Sequence, residues 1–511
     1  MPRTNRLIAD YVARIARARV YDSSIETKLD FAPRLSHRLN NEIFLKREDT
    51  QPIFSFKCRG AENRLAQMPK KVLGRGVVAS SAGNHAQGVA LAAGRLGVKA
   101  LIVMPLTTPS IKVDAVSALG GEIVLQGETY DDAYAHALTL AEQQGLEFVH
   151  PFADPDVIAG QGTIARELVE QCERPPYAVF VPIGGGGLAS GVGVWLKHRW
   201  PETRLIGVEP ADAASMQAAL LADGPVDLEH VGIFADGVAV RRVADETFRV
   251  CREVVSEMVQ VDTDAICAAI KDIYEDTRVV DEPAGALAVA GLKHVIETRG
   301  LEHERLIAVN TGANLNFDRL RHISERADIG ENLEALFAVE IPERRGAFLA
   351  FCQALGSRNV TEFNYRYAPS DKARIFVGVG LSGARADASG IVDSLTASGY
   401  NVLNLSDNEL AALHVRHMVG GPASDLEDEL IFRFEFPERP GALLAFLQAV
   451  GVQWNITLFH YRNHGSDYGR VLAGVQVPEN EREQLTRHLA TLGYPYWPES
   501  GNPAYRLFLS H

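Results

Sequence analysis

The sequence predicts an α/β protein built on mostly parallel sheets and followed by a duplicated α+β module. Three observations carry this. Short β-rich runs alternate with helical patterns from about residue 40 to 320, several of those runs end in clusters of Gly, Ser and Asn, and beyond Arg319 a stretch of the chain repeats itself.

At 511 residues the chain exceeds what one hydrophobic core supports, which leads us to expect about two to four domains. With 46% hydrophobic and 23% charged residues and no apolar run of about 18 residues, it is expected not to span a membrane. The net charge of −14 is spread along the chain, which argues against a nucleic-acid partner and for a small molecule. Cys58, Cys172, Cys251, Cys267 and Cys352 are scattered and form no CxxC pair, so neither a disulfide framework nor a zinc site is signalled and a reducing cytoplasm is expected.

The segment Leu7 to Val20 sets apolar residues and Arg at helical spacing. It contains Asp10 and lacks a cleavage-site pattern, so it reads as a structural helix and not as a targeting peptide. The β-rich runs are Glu42–Lys46, Gly76–Ala79, Lys99–Met104, Glu122–Leu125, Ala178–Val181, Leu205–Val208 and Leu306–Asn310. In such sheets ligands bind where strand ends lead into helix N-termini.

The charged stretch Arg321 to Asn332 reads as a linker or bridging helix. After it, Val339-Glu340-Ile341-Pro342-Glu343-Arg344-Arg345-Gly346-Ala347 returns as Phe434-Glu435-Phe436-Pro437-Glu438-Arg439-Pro440-Gly441-Ala442. Asn359-Val360-Thr361 then matches Asn455-Ile456-Thr457, and Tyr365-Arg366 matches Tyr461-Arg462. Each copy reads as a βαββαβ unit whose second helix ends in Ser398-Gly399-Tyr400 or Leu492-Gly493-Tyr494. The expected domains are residues 1–325, 336–411 and 431–511.

Four segments hold the candidate chemistry. Ser55 is a plausible N-cap for a helix running to about Met68, which would set Lys57 in the first turn, where the positive helix end helps keep its amine neutral. Read alone, Lys57 is far more readily a solvated surface lysine. Ser80 to Gly88 offers hydroxyls and backbone N–H groups to an anion, and Asn84 could reach a phenolic oxygen; an ordinary capped turn is as good a local reading. Within it, His85 reads more readily as a structural donor than as a general base. Gly184-Gly185-Gly186-Gly187-Leu188 leaves N–H groups free to converge on a phosphate at a helix start. It also fits G-x-G-x-x-A with Glu209 downstream, so a dinucleotide site competes there. Thr311, in Thr311-Gly312-Ala313-Asn314, could hydrogen-bond a ring nitrogen or simply end a strand.

Taken together and in this order, the segments resemble the fold-type II pyridoxal-phosphate enzymes, and among them the biosynthetic threonine dehydratases, with a tandem ACT-like regulatory domain. The resemblance covers essentially the whole chain. It implies two mostly parallel α/β subdomains, pyridoxal 5'-phosphate held as a Schiff base on Lys57, Phe56 packed near the ring and Asn84 on the ring's 3-oxygen. It further implies Gly184, Gly185, Gly186, Gly187 and Leu188 on the phosphate, and Thr311, where the family more often has serine, at the pyridine nitrogen. Ser81, Ala82, Gly83 and His85 would contact substrate. The serine racemases have a serine where this chain has Ala82, which disfavours racemization. The related metal site would align with Glu209, Ala213 and Ser215, and no metal is expected.

The implied activity is deamination of L-threonine to 2-oxobutanoate and ammonia, with L-serine also accepted, in a cytoplasmic homotetramer inhibited by isoleucine and opposed by valine. Tyr365, Tyr461 and Arg462, at matching strand ends, are candidate effector residues, with structural packing as good a reading. A nicotinamide-dependent oxidoreductase would use the glycine loop but leave Lys57 and Ser80 to Gly88 idle. A non-catalytic amino-acid sensor would use the repeat alone.

Overall fold

The computed structural model describes residues 3–330, 334–342, 350–351, 354–355, 358, 360–365, 372–381, 386–417, 428–437, 454–462 and 468–509. Contacts divide the chain into a unit Met1–Phe317 and a unit Asp318–His511.

Two sheets organise the first unit. The larger runs in the order β1-β2-β10-β7-β8-β9, from Leu29–Phe31, Glu42–Arg47, Arg305–Asn310, Ala178–Pro182, Arg204–Pro210 and Glu257–Val261. The smaller runs β5-β4-β3-β6, from Glu122–Leu125, Ala100–Met104, Val77–Ser80 and Glu147–Phe148. Every pairing is parallel except β1 on β2. Parallel sheets are covered on both faces, which is why β4 and β7 are buried along their whole length and read as unbroken apolar runs. All the strands read from the sequence form, with ends shifted by at most two residues. The added β1 and β6 are too short to leave a pattern, and β9, at the sheet edge, is only partly buried. The N-terminal helix spans Arg3–Ala16 and stops short of Val20.

The helix Lys57–Gln67 begins where expected, but its N-cap is Phe56 and not Ser55. Ser55 is buried and pairs in an isolated bridge with Gly312, while its Oγ still accepts, at 3.5 Å, from the Lys57 backbone N–H. This helix lies close against Pro155–Gln171: a Cβ at Gly160 would stand 2.6 Å from the Arg59 carbonyl oxygen. Arg59, fully buried on the same helix, is clamped by Glu48 at 2.7 Å and Glu167 at 2.5 Å, and Lys46 reaches Glu167 at 2.6 Å. Buried charges need partners of this kind, so the network fixes the register of the helix that carries Lys57.

The second unit begins with the helix Leu320–Gly330 and holds two four-stranded antiparallel sheets. Their orders are β12-β13-β11-β14 and β16-β17-β15-β18, with β11 to β14 at Glu334–Pro342, Val360–Tyr365, Lys372–Gly380 and Asn401–Asn404. Strands β15 to β18 are Glu429–Pro437, Asn455–Arg462, Tyr468–Gln476 and Tyr496–Pro498. The helices Ala386–Ala397 and Arg482–Leu492 are followed by Gly399 at φ 87° and Gly493 at φ 71°, left-handed positions that explain the repeated Gly-Tyr. Leu336, Phe376, Ile431, Leu472 and Tyr505 form one core shared by both repeats. The Pro-Glu-Arg turns, from Glu343 and Glu438 onward, lie outside the described residues. Tyr365, Tyr461 and Arg462 end β12 and β16, and their side chains lie outside the described set as well.

Candidate active site

The C-terminal ends of β2, β3, β7 and β10 lead to one cleft whose empty space, open solvent at its mouth included, is about 510 Å³. Phe56, Lys57, Asn84, Gly184 to Leu188 and Thr311 all line it. Ser81, Ala82 and Gly83 lie half-buried in the loop before Asn84 and do not contribute to that lining. His85 is buried and does not line the cavity; its Nε2 lies 2.9 Å from the Val149 carbonyl oxygen, and burial lowers its pKa to about 3.

Lys57 Nζ donates to the Pro151 carbonyl oxygen at 3.3 Å and sits 5.2 Å from the centre of the Phe56 ring. Lys57 is half-buried and lines the cavity. Burial therefore lowers its pKa to about 8, with the nearby Glu282 charge opposing. A lysine so tuned exchanges protons near neutral pH.

The glycine loop joins β7 to the helix Gly187–Arg199, which has no side-chain cap and no acidic residue in its first turn. Its orphan N–H groups are left for an anion. A Cβ on Gly185 would lie 2.3 Å from the Phe152 ring, and Gly186 adopts φ 87°. Glycine is required at both, and the main chain that lines the cavity, bare of side chains, forms the cradle.

Asn84 donates from Nδ2 to Glu282 Oε1 at 2.7 Å and accepts from Asn314 Nδ2 at 2.6 Å. The Thr311 hydroxyl donates to the Ala284 carbonyl oxygen at 3.2 Å. Pro151, Phe152, Gln161, Val238 and Glu282 also line the cavity. These are absent from the sequence reading because nothing local marks them: Glu282 is one carboxylate before a helix-starting Pro283, and only the fold brings it to Asn84.

Comparison with known proteins matches residues 21–312 to the pyridoxal-phosphate dependent enzymes. Residues 325–415 and 420–509 each match the C-terminal regulatory domain of threonine dehydratase. A biosynthetic L-threonine dehydratase of Burkholderia multivorans is 56% identical over 98% of this chain and 99% of its own.

The chain belongs to the biosynthetic threonine dehydratases.

The Escherichia coli member is 53% identical over 98% of this chain and 97% of its own. The solved structure of threonine deaminase isoform 2 from Solanum lycopersicum, processed form, superposes at a TM-score of 0.62 with 48% identity. It covers 63% of this chain and 93% of that one. Dehydratases of this family depend on pyridoxal phosphate, and the residues present fit that group. The fit rests on an amine of lowered pKa, a main-chain cradle that a Cβ would fill, an amide and a hydroxyl, all in one cavity. The dinucleotide reading of the glycine loop fails, since the carboxylate of Glu209 is spent on the backbone N–H groups of Met216 and Gln217, at 2.7 and 3.0 Å. No helix of the described residues is long and apolar enough to cross a membrane.

Proposed function

We propose that this chain deaminates L-threonine to 2-oxobutanoate and ammonia as the first step of isoleucine biosynthesis, and acts on L-serine to give pyruvate. The observation that carries this is the Lys57 amine, with its pKa lowered to about 8, in one cavity with the glycine cradle and Asn84. Similarity to named threonine dehydratases along nearly the whole chain supports the substrate.

Pyridoxal phosphate, when bound, supplies an aldehyde that captures the substrate amine and a ring that draws off the charge left at the α-carbon. Lys57 would hold that aldehyde until substrate arrives, and its freed amine would take the α-proton. Gly184 to Leu188 would hold the phosphate, and Phe56, Asn84 and Thr311, which line the same cavity, would hold the ring, Asn84 at the 3-oxygen and Thr311 at the nitrogen. Ser81, Ala82, Gly83 and His85 belong to the substrate side. There the helix Asn84–Leu96 starts without a side-chain cap, and its free N–H groups suit the substrate carboxylate. Loss of the α-proton and the β-hydroxyl is net loss of water; the released enamine becomes an imine, and its hydrolysis yields the keto acid and ammonia.

The paired regulatory repeats support feedback inhibition by isoleucine with valine opposing, through different affinities for two states of a cytoplasmic homotetramer. Tyr365, Tyr461 and Arg462 are its proposed effector residues. Keto-acid release from threonine and serine, with and without isoleucine, tests the whole reading. Full turnover by Lys57→Ala would refute the chemistry, and hyperbolic kinetics indifferent to isoleucine would refute the regulation.

A further inference from the structure

The turn from Val149 to Ala153 touches both the Lys57 amine and the glycine loop. The Pro151 carbonyl accepts from Lys57 Nζ at 3.3 Å. Phe152 presses on the loop from the other side: a Cβ on Gly187 would lie 2.7 Å from the Phe152 carbonyl oxygen. Two histidines hold this turn. His150 Nδ1 accepts from the backbone N–H of Phe152 at 3.2 Å and of Ala153 at 3.0 Å, and its ring meets the Phe152 ring edge-on at 4.6 Å. His85 Nε2 donates to the Val149 carbonyl oxygen at 2.9 Å.

These partners dictate the tautomers. A ring nitrogen facing two N–H donors must present a lone pair, and one facing a carbonyl must carry the proton, so both neutral rings are protonated at Nε2. Burial, with the Lys57 charge adding to it, lowers the His150 pKa to about 4, and the ring remains neutral at working pH. Neither histidine is therefore a proton carrier.

We infer that His150 is a positioning residue for the Lys57 amine: by accepting the Phe152 and Ala153 N–H groups at Nδ1 it aims the Pro151 carbonyl, which holds one N–H of Lys57 and so directs the amine's lone pair. The inference rests on Lys57 being the base. A neutral amine has one lone pair, and tying an N–H to a fixed carbonyl sets where that pair points. The carbonyl also favours the ammonium form, so its loss lowers the pKa of Lys57.

The test compares His150→Ala, His150→Asn and Lys57→Ala as full-length holoenzymes. Asparagine keeps a side-chain oxygen able to accept from the N–H two residues on, as in an Asx turn. His150→Ala is expected to retain the visible absorbance of the bound cofactor while kcat falls about 10- to 100-fold with KM nearly unchanged. The ascending limb of its kcat–pH profile should move to lower pH, which loosened packing alone would not cause. His150→Asn should recover kcat to within about threefold of wild type. A His150→Ala enzyme with wild-type kcat and pH profile overturns the inference, as does a His150→Asn enzyme that melts like wild type yet stays slow. If the alanine variant does not fold, the asparagine variant decides alone on the same criterion. Turnover by Lys57→Ala would remove the base assignment itself; a dead Lys57→Ala beside an unaffected His150→Ala overturns only the role of His150.

Discussion

Asn84 donates from Nδ2 to Glu282 Oε1 at 2.7 Å while its own Oδ1 accepts from Asn314 Nδ2 at 2.6 Å. A carboxylate only accepts, so this pairing fixes which end of the Asn84 amide is nitrogen and leaves one N–H for the cavity. Glu282 also places a negative charge near Lys57 and favours its ammonium form. Glu282→Gln keeps an oxygen for Asn84 and removes the charge. The Lys57 pKa should then drop below about 8, moving the ascending limb of kcat against pH to lower pH. An unmoved limb would show that Glu282 does not act on the base. Glu282→Ala should in addition release Asn84 and weaken cofactor retention about tenfold, the size of a hydrogen bond to a charged group.

Gly185→Ala probes the cradle. The new methyl would stand 2.3 Å from the Phe152 ring, a distance that no relaxation of one side chain absorbs because Phe152 is pinned by the His150 turn. The loop must shift, and its N–H groups then miss the phosphate. Cofactor loss on dialysis, followed by visible absorbance, should be at least about tenfold faster than in wild type while the melting temperature of the cofactor-free protein falls by only a few degrees. Unchanged retention would mean that the phosphate lies elsewhere.

The parts of the site that were legible in the sequence are those with a local cause. Gly184 to Gly187 and Asn84 stand at strand-to-helix turns, where the backbone needs glycine or the helix start needs an open end, and the parallel strands themselves are unbroken apolar runs. Glu282, His150 and Pro151 have no such signature. Glu282 and Pro151 act through partners far along the chain, Asn84 and Lys57, and His150, whose own bonds to Phe152 and Ala153 are local, matters to the site only because that turn meets Lys57. Ser55 misled for the same reason. A serine two residues before a lysine-led helix looks like an N-cap, but pairing with Gly312 takes that residue into a bridge and leaves Phe56 at the cap.

Arg59 joins stability to the site. It is fully buried between Glu48 and Glu167, with Lys46 on the same Glu167, on the helix that begins with Lys57. Arg59→Ala strands two buried carboxylates against a single lysine and should cost about 3–5 kcal/mol. Arg59→Lys recovers little, because an ammonium cannot serve both carboxylates as the guanidinium fork does. Thermal unfolding of both variants checks this, and an alanine variant melting like wild type would refute it.

Lys57 itself should be a stability cost at neutral pH. An unfolded chain keeps the lysine proton to about pH 10.4, whereas burial in the folded protein lowers that pKa to about 8. Between these values the unfolded state binds more protons, so folding stability rises with pH across that window, and below about pH 8 the full penalty is present. At 1.36 kcal/mol per pKa unit the penalty is at most about 3 kcal/mol, and water in the cavity reduces it. Methionine has similar length and no proton to hold. Cofactor-free Lys57→Met should therefore melt above cofactor-free wild type at about pH 7.5, and the gap should close as the pH approaches about 10.5. Other titrating groups cancel in the difference between the two proteins. A wild type that melts higher at neutral pH, or a gap that widens with pH, would mean that the amine is solvated as in bulk water and that the cavity does not tune it.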